Sequence, residues 1–88
     1  MGQVAVLFRV MPQGTDTDME ALAKAVRVSV PAGVTVRGFQ IKDIAFGLRS
    51  LLVSVVMPDT GGILESTEHA LAKVPHVESI EVMEEGLL

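Results

Sequence analysis

Val4-Ala5-Val6-Leu7-Phe8-Arg9-Val10-Met11-Pro12 is an apolar, strand-like run closed by Met-Pro, and it returns as Leu51-Leu52-Val53-Ser54-Val55-Val56-Met57-Pro58. Proline lacks a backbone donor and disfavours continuation of a central strand, so each run ends there and hands over to the next element. The echo continues in Ala21-Leu22-Ala23-Lys24-Ala25-Val26 and Ala70-Leu71-Ala72-Lys73-Val74, with a longer turn in the second half. Each half therefore reads strand, helix, strand.

The first helix is expected near residues 18 to 28. Thr17-Asp18-Met19-Glu20 has capping-box spacing, in which the Thr17 hydroxyl and the Glu20 carboxylate satisfy each other's orphan amides. Met19, Leu22 and Val26 form one apolar stripe, with Asp18, Lys24 and Arg27 off it. The second helix is expected over roughly residues 62 to 74, because Pro75 disfavours helix beyond Val74. Leu64, Leu71 and Val74 share its stripe, and Glu65, Glu68 and Lys73 face water.

The remaining segments read as strands. Glu78 to Glu84 alternates Ile80 and Val82 with acids, the pattern of an edge strand with one wet face. Val34 to Lys42 also alternates, but its apolar phase changes across Gly38. A bulge at Gly38 returns Phe39 and Ile41 to the face of Val34 and Val36. The order β-α-β-β-α-β predicts an α+β, ferredoxin-like split βαβ sandwich: a four-stranded antiparallel sheet with two helices on one face and strands one and three central.

Composition bounds the function. At 88 residues the chain is expected to form a single domain, residues 1–88, with a core of Val, Leu, Ile, Ala and Met. With no cysteine, disulfides, thiolate chemistry and cysteine-ligated zinc are excluded. The apolar runs are broken by Arg9, Arg49, Ser54 or Pro58 well short of the roughly 20 residues a spanning helix needs, and no basic signal-peptide region opens the chain. A soluble, cytoplasmic protein without membrane contact is expected. Net charge of −4 disfavours direct nucleic-acid binding, which wants clustered lysine and arginine.

Side chains for catalysis are sparse. His69 and His76 are the only imidazoles and have no partners for a metal or nucleophile site, so no metal, cofactor or enzymatic chemistry is expected. Asp16, Asp18 and Glu20 lack the glycine turn and closing glutamate of a calcium loop and read as helix capping. Gly61-Gly62 precedes a helix without a P-loop Lys-Ser/Thr pair and reads as a turn. RNA modules of this shape display aromatics on strands one and three, where this chain offers only Phe8. A ligand-sensing or structural interaction module of the same topology is the alternative reading.

One stretch stands out. Asp43-Ile44-Ala45-Phe46-Gly47-Leu48-Arg49 is an apolar link carrying one of three aromatics, where a connection between strands is ordinarily polar. Phe46 must either tuck back into the core or meet a partner. Ile44 to Leu48, followed by an apolar strand, resembles the signature of the elongation factor 1-beta family, whose core reads Ile-Ala-Phe-Gly-Leu and then Lys or Arg. Val77-Glu78-Ser79-Ile80-Glu81-Val82 is similar to that family's closing strand. The likeness covers essentially the whole chain, and at this length it resembles the archaeal form.

The resemblance implies guanine nucleotide exchange: members bind the GDP form of elongation factor 1-alpha, disturb the magnesium and phosphate end of its site, and let GTP replace GDP. It assigns Phe46 to a pocket of that partner, with Ala45 and Gly47 permitting close approach and Asp43 and Arg49 as rim contacts. The chain departs from the pattern at its tail, Glu84-Glu85-Gly86-Leu87-Leu88, where eukaryotic members carry a near-terminal lysine that reaches the magnesium site and this chain has Leu87. Two readings follow. Leu87 and Leu88 make an apolar contact of their own, or the Phe46 segment alone carries exchange.

Overall fold

Strict alternation makes the first strand two-faced: Val4, Val6, Phe8 and Val10 are buried, while Ala5, Leu7, Arg9 and Met11 line the opposite, half-exposed face. In the computed structural model, which describes residues 2–88, the elements are β1 (Gln3–Pro12), α1 (Met19–Ser29), β2 (Thr35–Ala45), β3 (Leu48–Pro58), α2 (Ile63–Ala72) and β4 (Val77–Leu87). The sheet order is β2-β3-β1-β4 and every pairing is antiparallel, so β1 and β3 are central, as the apolar runs predict. Both Met-Pro pairs close their strands.

The core lies on one face. Val4, Val6, Phe8 and Val10 of β1 join Leu51, Val53, Val55 and Met57 of β3, Met19, Leu22 and Val26 of α1, and Leu71 of α2 in one buried cluster. Phe8 is fully buried there, which removes the one aromatic that an RNA-stacking reading had available. The bulge expected at Gly38 is present as a break in register between Val36 and Gly38. It sets Phe39 opposite Val53 and Ile41 opposite Leu51, on the core side with Val36. Phe39 packs against the core and carries the Arg27 guanidinium 5.4 Å from its ring centre.

Three boundary expectations need correction. The cap of α1 is Asp18 rather than Thr17: the Asp18 carboxylate accepts from the amides of Glu20 and Ala21 at 3.1 and 3.2 Å. Aspartate one position nearer the helix reaches the same orphan donors, so the helix starts at Met19. The core of α2 is shorter than expected, Ile63–Ala72, and its buried face includes Thr67, whose hydroxyl donates back to the Ile63 carbonyl at 2.8 Å. β4 runs on past Glu84 to Leu87, because antiparallel pairing with β1 continues to Val4. Among the described residues no helix is long and apolar enough to cross a membrane.

Truncation of Phe8 to alanine leaves a cavity at the centre of the sheet and is expected to cost roughly 3–5 kcal/mol in urea unfolding. Asp18→Ala is expected to cost about 1 kcal/mol. Thr17→Ala, by contrast, is expected to stay within about 0.5 kcal/mol of wild type in the same assay.

Candidate functional site

Asp43 to Arg49 is not a link between elements but the end of the β2–β3 hairpin. The alternation of β2 continues through Lys42, so Asp43 faces Arg49 and Ala45 faces Leu48, with Ile44 as the extra residue at a second break in register. Only Phe46 and Gly47 are left to turn the chain. Both have positive φ, 54° and 79°, as the two central positions of a type I′ hairpin turn require. Glycine takes that conformation freely, whereas a phenylalanine there carries a steric cost of about 1–2 kcal/mol.

Phe46 is also 101% exposed, so the possibility that it tucks into the core is overturned. The tip has no core to tuck into. The β1–β3 ladder stops at Val10 opposite Leu51 and β1 itself ends at Pro12, so the turn at Phe46 and Gly47 lies past the end of the central pair. Ile44, a residue of the motif, and Ile41, which lies outside it, are partly exposed beside it and add apolar surface that was not among the expected contacts. Their signal in the sequence is the strand alternation itself, obscured once the segment is taken for a loop. Asp43 and Arg49 sit directly opposite each other, yet among the described residues the one ion pair is Arg9–Glu81, at 2.7 Å on the other face.

The tail lies elsewhere. Leu87 pairs with Val4 and the Leu88 amide donates to the Gln3 carbonyl at 2.9 Å, which puts both leucines at the end of the sheet opposite the Phe46 tip. At about 3.3 Å per residue β3 alone covers most of the molecule's longest dimension, 42 Å. Leu87 and Leu88 are 74% and 71% exposed. The candidate site residues therefore fall into two separate groups: Asp43, Ala45, Phe46, Gly47 and Arg49 at one end, Leu87 and Leu88 at the other.

Other features of the chain are accounted for by structure. Gly62 caps α2 with φ of 86°, the positive value that glycine supplies at a tight turn. His69 and His76 are exposed, and no group of three or more His, Asp or Glu among the described residues could hold a metal ion. A recess of about 350 Å³ lies between α1 and the link into β4, lined by residues including Asp16, Ala21, Leu22, Ala25, Pro75 and His76.

Comparison with known proteins adds what geometry cannot supply. The fold resembles the C-terminal domain of the MgtC protein from Mycobacterium tuberculosis (TM-score 0.61, 19% identity, 99% of this chain and 89% of that one). It also resembles BlrP1 BLUF (TM-score 0.59, 16% identity, 100% of this chain and 56% of that one). At such identities these likenesses concern the fold alone. Elongation factor 1-beta of Halorubrum lacusprofundi is 43% identical over 88 residues, covering 100% of both chains. That of Methanococcoides burtonii is 41% identical over 86 residues, 98% of this chain and 97% of its own. With residues 5–87 matching the EF-1 guanine nucleotide exchange domain as well, the chain belongs to the elongation factor 1-beta family.

Proposed function

We propose that this chain acts in the cytoplasm on the GDP-bound form of elongation factor 1-alpha, using Phe46 as the anchor that opens the partner's nucleotide site. Guanine nucleotide exchange on elongation factor 1-alpha is the function its family membership carries. The observation behind the choice of anchor is the state of Phe46, a large apolar side chain held at φ 54° with its whole surface in water. Burying such a side chain is worth about 1.5–3 kcal/mol. The free protein forgoes that and bears the backbone strain as well, and strained, exposed positions of this kind concentrate at functional sites.

An anchor of this kind needs no bond-making chemistry. In the partner, magnesium and phosphate-binding loops hold the GDP phosphates through strong charge-based contacts. A side chain that lodges beside that machinery and shifts neighbouring backbone favours the conformation with weaker nucleotide affinity, so GDP leaves and GTP replaces it. Ala45 and Gly47 keep the flanks of Phe46 small enough for close approach. Asp43 and Arg49, not ion-paired with each other, serve as rim contacts that steer association.

Leu87 and Leu88 form a second, apolar contact of the same partner. A lysine-driven displacement of magnesium is not available at Leu87, so the tail contributes burial rather than charge. The alternative reading of the same topology, a ligand-sensing or structural interaction module, predicts stabilisation by a small metabolite or stable association, with no effect on nucleotide release.

The test is release of a fluorescent GDP analogue from elongation factor 1-alpha in excess unlabelled GTP at increasing concentrations of the chain. Phe46→Ala is expected to raise the half-maximal concentration about thirtyfold, equivalent to roughly 2 kcal/mol of anchoring. Phe46→Asn supplies the residue a type I′ turn prefers; it is expected to stabilise the isolated domain by about 1 kcal/mol, seen as a higher melting temperature, while exchange falls as in Phe46→Ala. Exchange that is unchanged in both folded variants rejects the anchor. Replacing Leu87 and Leu88 together by alanine is expected to raise the half-maximal concentration about tenfold without lowering the melting temperature, and no shift rejects the tail contact.

A further inference from the structure

We propose that the open face of the sheet, the one opposite the helices, is an interface between two copies of this chain. The two-fold axis runs parallel to the strands, so that β4 of each copy lies over β2 of the other. The inference goes beyond the exchange reading and is independent of the assignment of Phe46.

Both helices cover the side of the sheet that carries Phe8 and Val53, and the alternate residues of the central strands have no second layer. Ala5, Leu7 and Met11 of β1 and Leu52 of β3 lie half-buried there, an apolar strip along the middle of the face. Around it the charges are sorted by strand. A bulge sets two residues against one on the neighbouring strand, and three of them leave an extra side chain on this face. These are Arg37 beside Gly38 on β2, and Glu78 beside Ser79 and Met83 beside Glu84 on β4. Alternation adds Lys42 to β2 and Glu81 to β4. One outer strand therefore presents Arg37 and Lys42, the other Glu78, Glu81 and Glu84, and all five are exposed. Glu81 is taken up by Arg9 of its own copy at 2.7 Å, the one ion pair among the described residues.

That sorting selects the occupant and its orientation. With Arg9 counted, three basic and three acidic side chains share the face, so it is neutral and the net charge of −4 resides on the other surfaces. A two-fold axis along the strands reverses the strand order and keeps every residue at its level. The levels match. Arg37 lies by the Gly38–Ser54 pair and Glu84 opposite Leu7, and Ser54 pairs with Leu7. Lys42 follows Ile41 at the level of Leu51 and Val10, and Glu78 lies by Ser79 opposite Met11, the residue after Val10. Arg37 of each copy thus meets Glu84 of the other, and Lys42 meets Glu78. An axis across the strands would instead set β2 on β2 and β4 on β4, like charge against like. At about 4.8 Å between strands and about 3.3 Å per residue, the shared ladder covers roughly 500 Å² per copy, short of the roughly 800 Å² of a standard interface, so the dimer is a weak one. Both Phe46 turns stand at the same end of it, outside the contact.

Sedimentation equilibrium of the full chain tests this. At low salt a reversible monomer–dimer equilibrium is expected as the concentration rises to about 0.5 mM, weakened about tenfold in about 0.5 M salt. Arg37→Glu with Lys42→Glu reverses the charge of β2, and Glu78→Lys with Glu84→Lys reverses that of β4. Each double variant alone is expected to be monomeric at the highest concentration, with its melting temperature unchanged. An equimolar mixture of the two regains the dimer, because each outer strand again faces its opposite. A wild-type chain that stays monomeric at low salt overturns the inference. So does a dimer that persists in either double variant alone, or one that the mixture fails to restore. If the wild-type chain is monomeric and Arg37→Glu with Lys42→Glu raises the half-maximal concentration for GDP release, the face belongs to elongation factor 1-alpha and the inference falls.

Discussion

The antiparallel pairing of β1 with β3 is the constraint on which the rest of this molecule depends. Each strand presents an unbroken apolar face to the helices, and the register sets Phe8 against Val53, Val10 against Leu51 and Val6 against Val55. A slip by one residue would turn Arg9, Leu7 and Ala5 inward and carry the whole buried set to water, so this pairing is strongly specified. Both helices then have one apolar surface to cover, and both edge strands have a template whose register fixes theirs. The position of Phe46 is a consequence: it lies where β3 outruns β1.

The overhang explains why two opposing properties coexist in one short domain. The core side of the sheet is consistent at every level, with alternation, burial and helix stripes in agreement. The hairpin tip violates those rules, placing a bulky residue at positive φ and leaving it exposed. The turn residues Phe46 and Gly47 lie outside the buried cluster that contains Phe8 and Leu71. A domain of this size has only a modest stability margin, which makes separating the strained region from the core a physical requirement.

Most of this was legible in the chain, and the parts that were not share a cause. The Met-Pro echoes, the phase change across Gly38 and the Met19, Leu22, Val26 stripe each report one residue's fit to a repeating geometry, so the central strands, the bulge and α1 follow from them. The hairpin tip was obscured because Ile44, Ala45 and Leu48 are apolar and lie beside a glycine, which reads as an irregular link although the ladder runs through it. The α1 cap shifted because two adjacent residues, Thr17 and Asp18, both have capping oxygens and only the backbone geometry chooses between them. That Phe46 and Leu87 stand at opposite ends depends on pairing across the sheet, which no local pattern encodes.

Exchange is a coupling between two bound species, and reciprocity sets what this architecture must do. If the chain weakens the partner's hold on GDP by some factor, GDP weakens the partner's hold on the chain by the same factor. The complex with empty partner must therefore be the tight one, and GTP binding is what releases the factor. Contacts that tighten equally in every nucleotide state add affinity and slow that release without contributing to exchange. A single anchor at the end of the sheet, as proposed for Phe46, suits this demand if its burial requires the open form of the partner's pocket. Exposed leucines at the far end can enlarge the contact, but their burial does not by itself distinguish one nucleotide state from another. Differential affinity has to come from a group whose fit depends on the partner's conformation, and that is the role we propose for the strained, exposed Phe46.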